Sequence, residues 1–282
     1  MHHVRAARYH LPHVDGRSLL LLAGMIATAA FAGFVSFGLL GVFIASGLML
    51  VLGSSAMTIP THWVMRLQGA RPVQAWEKPG LARLVGQLAA RAGIRAPALY
   101  LIPSAEPNAL ASGGPDGDGA IAVTPGLLRA LDGRELAGVL AHEVVHLRRN
   151  DTALVRLGSV AASAAATTLR LALWATFFGM LLFGHASLAR LGLLLVLSLF
   201  LPTALTLLAT ALSRSRELSA DAEAARITGD PLGLAAALAR IDRVQRFWSS
   251  LLMGRMDVPA ALRSHPPTEE RVRRLRAMAF TR

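Results

Sequence analysis

The amino-acid sequence predicts a mainly α-helical integral membrane protein, with about four transmembrane helices and a small β-sheet in its polar part. Three observations lead there. The 282-residue chain is 54% apolar with a mean hydropathy of +0.48, above the range of water-soluble proteins. From Ser18 to Met65 it has no Asp, Glu, Lys or Arg. That run is long enough to cross a bilayer twice at about 20 residues per span. A second apolar block fills residues 153–212, with "LALWATFFGMLLFG" (Leu171 to Gly184) and "LGLLLVLSLFLPTALTLLATAL" (Leu191 to Leu212) as its strongest parts.

These blocks divide the chain into a tail (1–17), a transmembrane hairpin (18–61), a polar segment (62–152), a second hairpin (153–212) and a polar end (213–282). Gly38 and Gly41 can open the turn of the first hairpin, between helices near Leu19–Phe37 and Leu40–Met57. Its apolar stretch is too long for a cleaved signal peptide. The start of the second block is weaker, with Arg156 and Arg170 about 40° apart on a helical wheel, so one face of that helix can stay wet or face protein. Arg5, Arg8, Arg17, Arg66, Arg71, Lys78, Arg214 and Arg216 flank the spans on one side, and only Arg190 lies on the other. By the positive-inside rule both termini and both polar segments face the cytoplasm. A bacterial inner (plasma) membrane is the simplest location for such a multi-pass chain.

The net charge of +12 is explained by this topology and by contact with anionic lipid in the bilayer. No aromatic-interleaved basic motif points to nucleic acid. There is no cysteine, so disulfides and thiolate metal ligands are excluded and a bound metal must use His, Asp or Glu.

In the polar segments, Leu81 to Ala92 has helical periodicity, Ala98–Ile102 and Ala120–Thr124 read as strands, and "NALASGGPDGDGAIAVT" (Asn108 to Thr124) reads as strand, turn and strand. Thr124-Pro125 opens a short helix. Asp132 and Glu135 form a capping-box pattern before an apolar run. Ser213 to Ile227 reads as a further helix stopped by Gly229-Asp230-Pro231, and a last helix starts near Thr268.

The capped apolar run leads into "LAHEVVHLRRND". His142 and His146, four apart on a helix, place two imidazoles on one face, able to grip one Zn²⁺. Glu143 projects beside that face, where it can take a proton from a water that the metal activates. Leu136, Val139, Leu140, Val144 and Val145 make the helix apolar, and a Glu there is costly without a task. A catalytic zinc needs a third protein ligand. The best candidate is in "SRSRELSADAEAAR" (Ser213 to Arg226): Glu217 can ligate, and Asp221, one turn on, can accept a ring N–H from a ligand histidine. Glu223 lies off that face and is the weaker choice.

"LAGVLAHEVVHLRRND" and "SRSRELSADAEAAR" together resemble the M48 family of zinc endopeptidases. The resemblance extends to "PNALASG" (Pro107 to Gly113), "AVTPGLL" (Ala122 to Leu128), both hairpins and "SHPPTEERVRRL" (Ser264 to Leu275). It implies a gluzincin-like catalytic domain, one zinc per chain on His142, His146 and Glu217, Glu143 as general base, and a site on the cytoplasmic side. It further implies that Asn108 to Ser112 form an edge strand to which substrate adds, with Asn108, Ala109 and Ala111 as contacts. His265 would reach the cleft to bond the oxyanion, with Arg271 bracing that corner on the substrate side. Substrates would be polypeptides, damaged or misassembled membrane proteins and unfolded segments, in a quality-control role. A homo-oligomer is compatible with this reading. Leu110 departs from the aromatic residue common in the family, which changes packing rather than chemistry. His2, His3, His10 and His13 in the tail can chelate metal adventitiously.

The rival readings are a metal-binding membrane signalling or scaffold protein with little peptidase turnover, and a metal transporter. The transporter needs ionisable residues along several spans, and the first hairpin has none.

Overall fold

A computed structural model describes residues 16–58, 60–113, 119–183, 188–252 and 267–280. His265 and the four tail histidines lie outside the described residues. In chain order the elements are α1 (Gly16–Phe37), α2 (Leu39–Thr58), α3 (Thr61–Leu67), β1 (Arg71–Val73), α4 (Pro79–Ala92), β2 (Ala98–Leu101), β3 (Ala109–Gly113), β4 (Gly119–Val123), α5 (Pro125–Ala130), α6 (Gly133–Arg149), α7 (Asp151–Phe183), α8 (Leu188–Thr228), α9 (Pro231–Leu252) and α10 (Thr268–Phe280). The chain is mainly helical with one small mixed sheet, and its residues fall into two compact units.

One unit is built from the described residues of Val14–Met57 and Leu154–Ser213. Among the described residues, three helices are long and apolar enough to cross a membrane, over Leu19–Phe37, Leu157–Leu182 and Leu188–Thr228, and α2 adds a shorter apolar stretch, Leu39–Ser54. Gly38, at φ 63°, is the single residue between α1 and α2. A side chain there would clash with its own backbone, so the tight turn depends on glycine. Met25, Ala29, Ala161, Ala165, Leu169 and Leu205 form part of this unit's core. Small residues let the helix backbones approach closely, which drives packing where lipid removes the hydrophobic effect.

The other unit is built from the described residues of Thr58–Ala153 and Arg214–Arg282. Its sheet has the order β1-β2-β4-β3, with β2 parallel to β4 and the other pairs antiparallel. Successive side chains of β4 point to opposite faces. Ile121 and Val123 therefore join the main core with Leu140, Val144 and Val145 of α6, while Ala120 and Ala122 pack with Met65 of α3. β3, predicted from "NALASG", is the edge strand beside α6.

Local chemistry sets the ends of the elements that carry the site. Thr124 Oγ1 accepts from the backbone N–H groups of Leu127 and Asn108, which starts α5 and ties it to the loop before β3. Asp132 and Glu135 form the predicted capping box of α6. α6 ends at Asn150, whose left-handed φ of 52° is tolerable for Asn, and α7 begins at the next residue. Four elements differ from expectation, and of these α3 and β1 were not anticipated at all. The segment Ser213 to Ile227 is not a separate helix: α8 is continuous from Leu188 to Thr228 and includes Pro202. No Gly or Pro at the join stops the backbone ladder, so the helix runs on. α9 was not anticipated, and its Leu234 crosses α6 at Gly138, where a β-carbon would stand 2.9 Å from the Leu234 Cα. Gly138→Val is expected to cost about 1–3 kcal/mol by overpacking, read as a lower thermal midpoint.

Candidate metal centre

α6 presents His142 and His146 on one face, and α8 brings Glu217 to them. The Nε2 atoms of the two histidines are 3.0 Å apart. Glu217 Oε2 lies 3.4 Å from His142 Nε2, and its Oε1 lies 3.5 Å from His146 Nε2. One ligand atom from each residue falls within 4.8 Å of the others, the only such three-residue cluster among the described residues. His142 and Glu217 are buried and His146 nearly so.

The far side of each ring faces a carboxylate. His146 Nδ1 lies 2.8 Å from Asp151 Oδ2, at the first residue of α7. Asp151 also accepts from Arg216 Nε at 2.7 Å and from Arg216 Nη2, and both residues are buried. His142 Nδ1 is 3.0 Å from Asp221 Oδ1, at an angle short of a full hydrogen bond. Asp221 accepts from Arg271 Nε and Nη2, both at 2.7 Å, while Arg271 Nη1 is 3.4 Å from Glu217 Oε2. Arg271 is thus a buried clamp on two acidic residues of α8. Glu143 is half-buried, and its charge is felt at both His146 and Arg271.

This donor set fits a divalent cation. With Asp151 hydrogen-bonded to His146 Nδ1 and the Asp221 carboxylate 3.0 Å from His142 Nδ1, the ring protons are drawn to Nδ1 and both Nε2 lone pairs face each other beside a carboxylate, an arrangement that requires a proton or a metal between them. Glu143, Glu217, Asp221 and Asp151 against Arg216 and Arg271 leave two negative charges, the charge one divalent ion neutralises. Three protein ligands leave a fourth position open. Burial works against a charged His146, but the Asp151 and Glu217 carboxylates outweigh it and push its pKa up to about 10. Burial also opposes the Asp221 carboxylate, and the hydrogen bonds from Arg271 together with the adjacent His142 ring overcome this, holding its pKa low. A metal entering here therefore displaces protons from the histidines.

Of the residues singled out from sequence, the structure gathers His142, Glu143, His146, Glu217, Asp221 and Arg271. Glu223 goes elsewhere, pairing with Arg148 at 2.7 Å and Arg149 at 2.8 Å. Ala109 and Ala111 lie on β3, and Asn108 immediately precedes it, its carbonyl bonded to Thr124 N at 3.0 Å. Asp151 and Arg216 were missed. The signal was Asn150-Asp151, a helix-ending residue followed by an acid able to start the next helix.

A histidine pair and a carboxylate converging beside a half-buried Glu, in a chain with membrane-length helices, define the class: a membrane protein with a candidate metal centre. The peptidase family M48 profile matches residues 75–279, and the chain belongs to that family. It is 35% identical over 278 residues to a Protease HtpX homolog of Pyrococcus abyssi, covering 94% of this chain and 96% of that one. A Protease HtpX homolog of Acidiphilium cryptum is 37% identical over 287 residues, with coverage of 92% and 96%. In fold, the chain is similar to the crystal structure of S. mikatae Ste24p, with a TM-score of 0.61 and 22% identity, over 92% of this chain and 64% of that one.

Proposed function

We propose that this protein is a zinc endopeptidase that hydrolyses peptide bonds in membrane proteins and unfolded segments, using one zinc ion on His142, His146 and Glu217. The convergence of two imidazole Nε2 atoms and one carboxylate, with the far ring nitrogens facing Asp151 and Asp221, carries this reading. Zinc bound there would polarise a peptide carbonyl and acidify a water. Glu143 accepts the proton of the attacking water and delivers it to the leaving amine. Asp151 and Asp221 fix the ring tautomers, and Arg271 holds Asp221 and Glu217 in place. The outer edge of β3 offers the backbone groups of Ala109 and Ala111 to an extended substrate, and Asn108, whose own N–H and C=O are bonded to Thr124, contacts it through its side chain. His265 donates to the developing oxyanion. The charge bias of the segments flanking the spans supports a plasma-membrane protein with its site on the cytoplasmic side. Removal of misassembled membrane proteins is the matching role.

The test is chelation and reloading of detergent-purified full-length protein, followed by cleavage of an unfolded soluble protein. Cleavage is expected to stop with chelator and to return with one zinc per chain. Metal affinity is expected to fall as pH is lowered, since protons compete for His142 and His146. Chelator-resistant cleavage, or failure to bind zinc, removes the proposal.

A further inference from the structure

We propose that the face of α7 around Arg170 is a docking surface for a transmembrane helix bearing a carboxylate within the bilayer. Resting on the proteolytic reading above, it selects membrane-protein substrates whose intramembrane acid has lost its partner.

Arg170 lies near the middle of the Leu157–Leu182 span, and its side chain is exposed. At about 1.5 Å per residue it is roughly 18–20 Å from either end of that span, too deep to snorkel to a headgroup. Its Nε donates to the carbonyl of Ala166 in its own helix at 3.2 Å, and among the described residues it has no ion-pair partner. The opposite side of α7, with Ala161, Ala165, Leu169 and Ala172, is committed to this unit's own core. Arg170 is five residues from Ala165 and so about 140° around the helix. Ser159, Ser163 and Ala166 share the Arg170 side at spacings of four, three and four residues, and Ser159 and Ser163 are exposed. These small side chains leave room for another helix backbone to come close.

The nature of the partner follows from charge. From Gly16 to Met57 and from Leu154 to Ser213 there is no Asp or Glu. This protein's own spans therefore cannot neutralise Arg170, and neither can those of a second copy. Lipid phosphates sit at the interface, far from mid-span. A foreign helix with an Asp or Glu at the same depth does match, because each charge alone is costly in hydrocarbon and the pair relieves both. Correctly assembled membrane proteins have such acids already paired, so only misassembled ones offer them to Arg170.

The experiment uses the full chain in nanodiscs of uncharged lipid, with chelator present so that binding is read without turnover. The probes are two labelled Leu/Ala transmembrane peptides, identical except for one central Glu or Gln, and binding is read by energy transfer. The Glu peptide is expected to bind at least about ten-fold more tightly than the Gln peptide. Arg170→Gln should abolish the preference and Arg170→Lys should retain part of it. Equal binding of both peptides to the unsubstituted protein overturns the proposal, showing that water or lipid satisfies Arg170. A preference that survives Arg170→Gln overturns it as well. Zinc binding and cleavage of a soluble unfolded protein, measured on the same preparations, check that Arg170→Gln is folded. They also separate the two readings: absent cleavage with an intact Glu preference removes the peptidase and leaves the docking surface, and the converse removes only the docking surface.

Discussion

Glu143→Gln is expected to leave zinc bound at one per chain and to lower turnover by about 10²–10⁴-fold or more, the range for loss of a general base. The amide keeps the size of the carboxylate and so preserves the packing of α6, but it cannot accept the proton. Glu143 is not among the three residues whose ligand atoms cluster, so metal content should be unaffected. Measuring zinc content and cleavage of an unfolded substrate on the same sample separates the two roles. Cleavage at the unsubstituted rate would show that the proton goes to another group. Loss of zinc along with activity would place Glu143 among the ligands.

Arg271→Ala is expected to be the most damaging substitution away from the histidines and Glu143. Arg271 is 8% exposed and its guanidinium faces Asp221 and Glu217, which are 3% and 6% exposed. Removing it leaves two buried carboxylates without their counter-charge, a loss of roughly 3–5 kcal/mol for a broken buried pair. Zinc affinity should also fall, by about 10–100-fold, because Asp221 would no longer be held against His142. Arg271→Lys keeps the charge but not the paired contacts from Nε and Nη2, so it should fall between the two. Thermal unfolding and competition with a zinc chelator read both effects. Unchanged stability and affinity in Arg271→Ala would show that the clamp contributes nothing.

The same clamp shows where sequence reading stops. Periodicity and capping chemistry marked α6 and its capping box, because both are fixed within a few residues along the chain. Hydropathy marked the long apolar helices, because hydrocarbon excludes unpaired backbone and charge whatever the tertiary arrangement. The β3–β4 hairpin was legible from its turn residues and flanking alternation. The continuity of α8 was not, since the switch from apolar to charged residues at Ser213 changes the surroundings of a helix without ending it. α9 was hidden because its apolar face becomes meaningful only against α6.

The sequence by itself determined that two imidazoles and an adjacent carboxylate share one helix, since a separation of four residues fixes side-chain positions on an α-helix to within one turn. It also determined that the chain cannot be a soluble enzyme, through runs of apolar residues that water does not tolerate. The sequence favoured Glu217 over Glu223 as the acid of α8 that meets the histidines, and the tertiary structure shows where each one goes. Glu217 and Glu223 are both on that helix, and packing places Glu217 at the ring nitrogens and Glu223 against Arg148 and Arg149. Only the tertiary structure decided the Asp151–Arg216 and Asp221–Arg271 pairs. Their partners are 65 and 50 residues apart in sequence. Spacing along a chain encodes distance only within a single rigid element, and beyond it burial and complementary charge choose the neighbour.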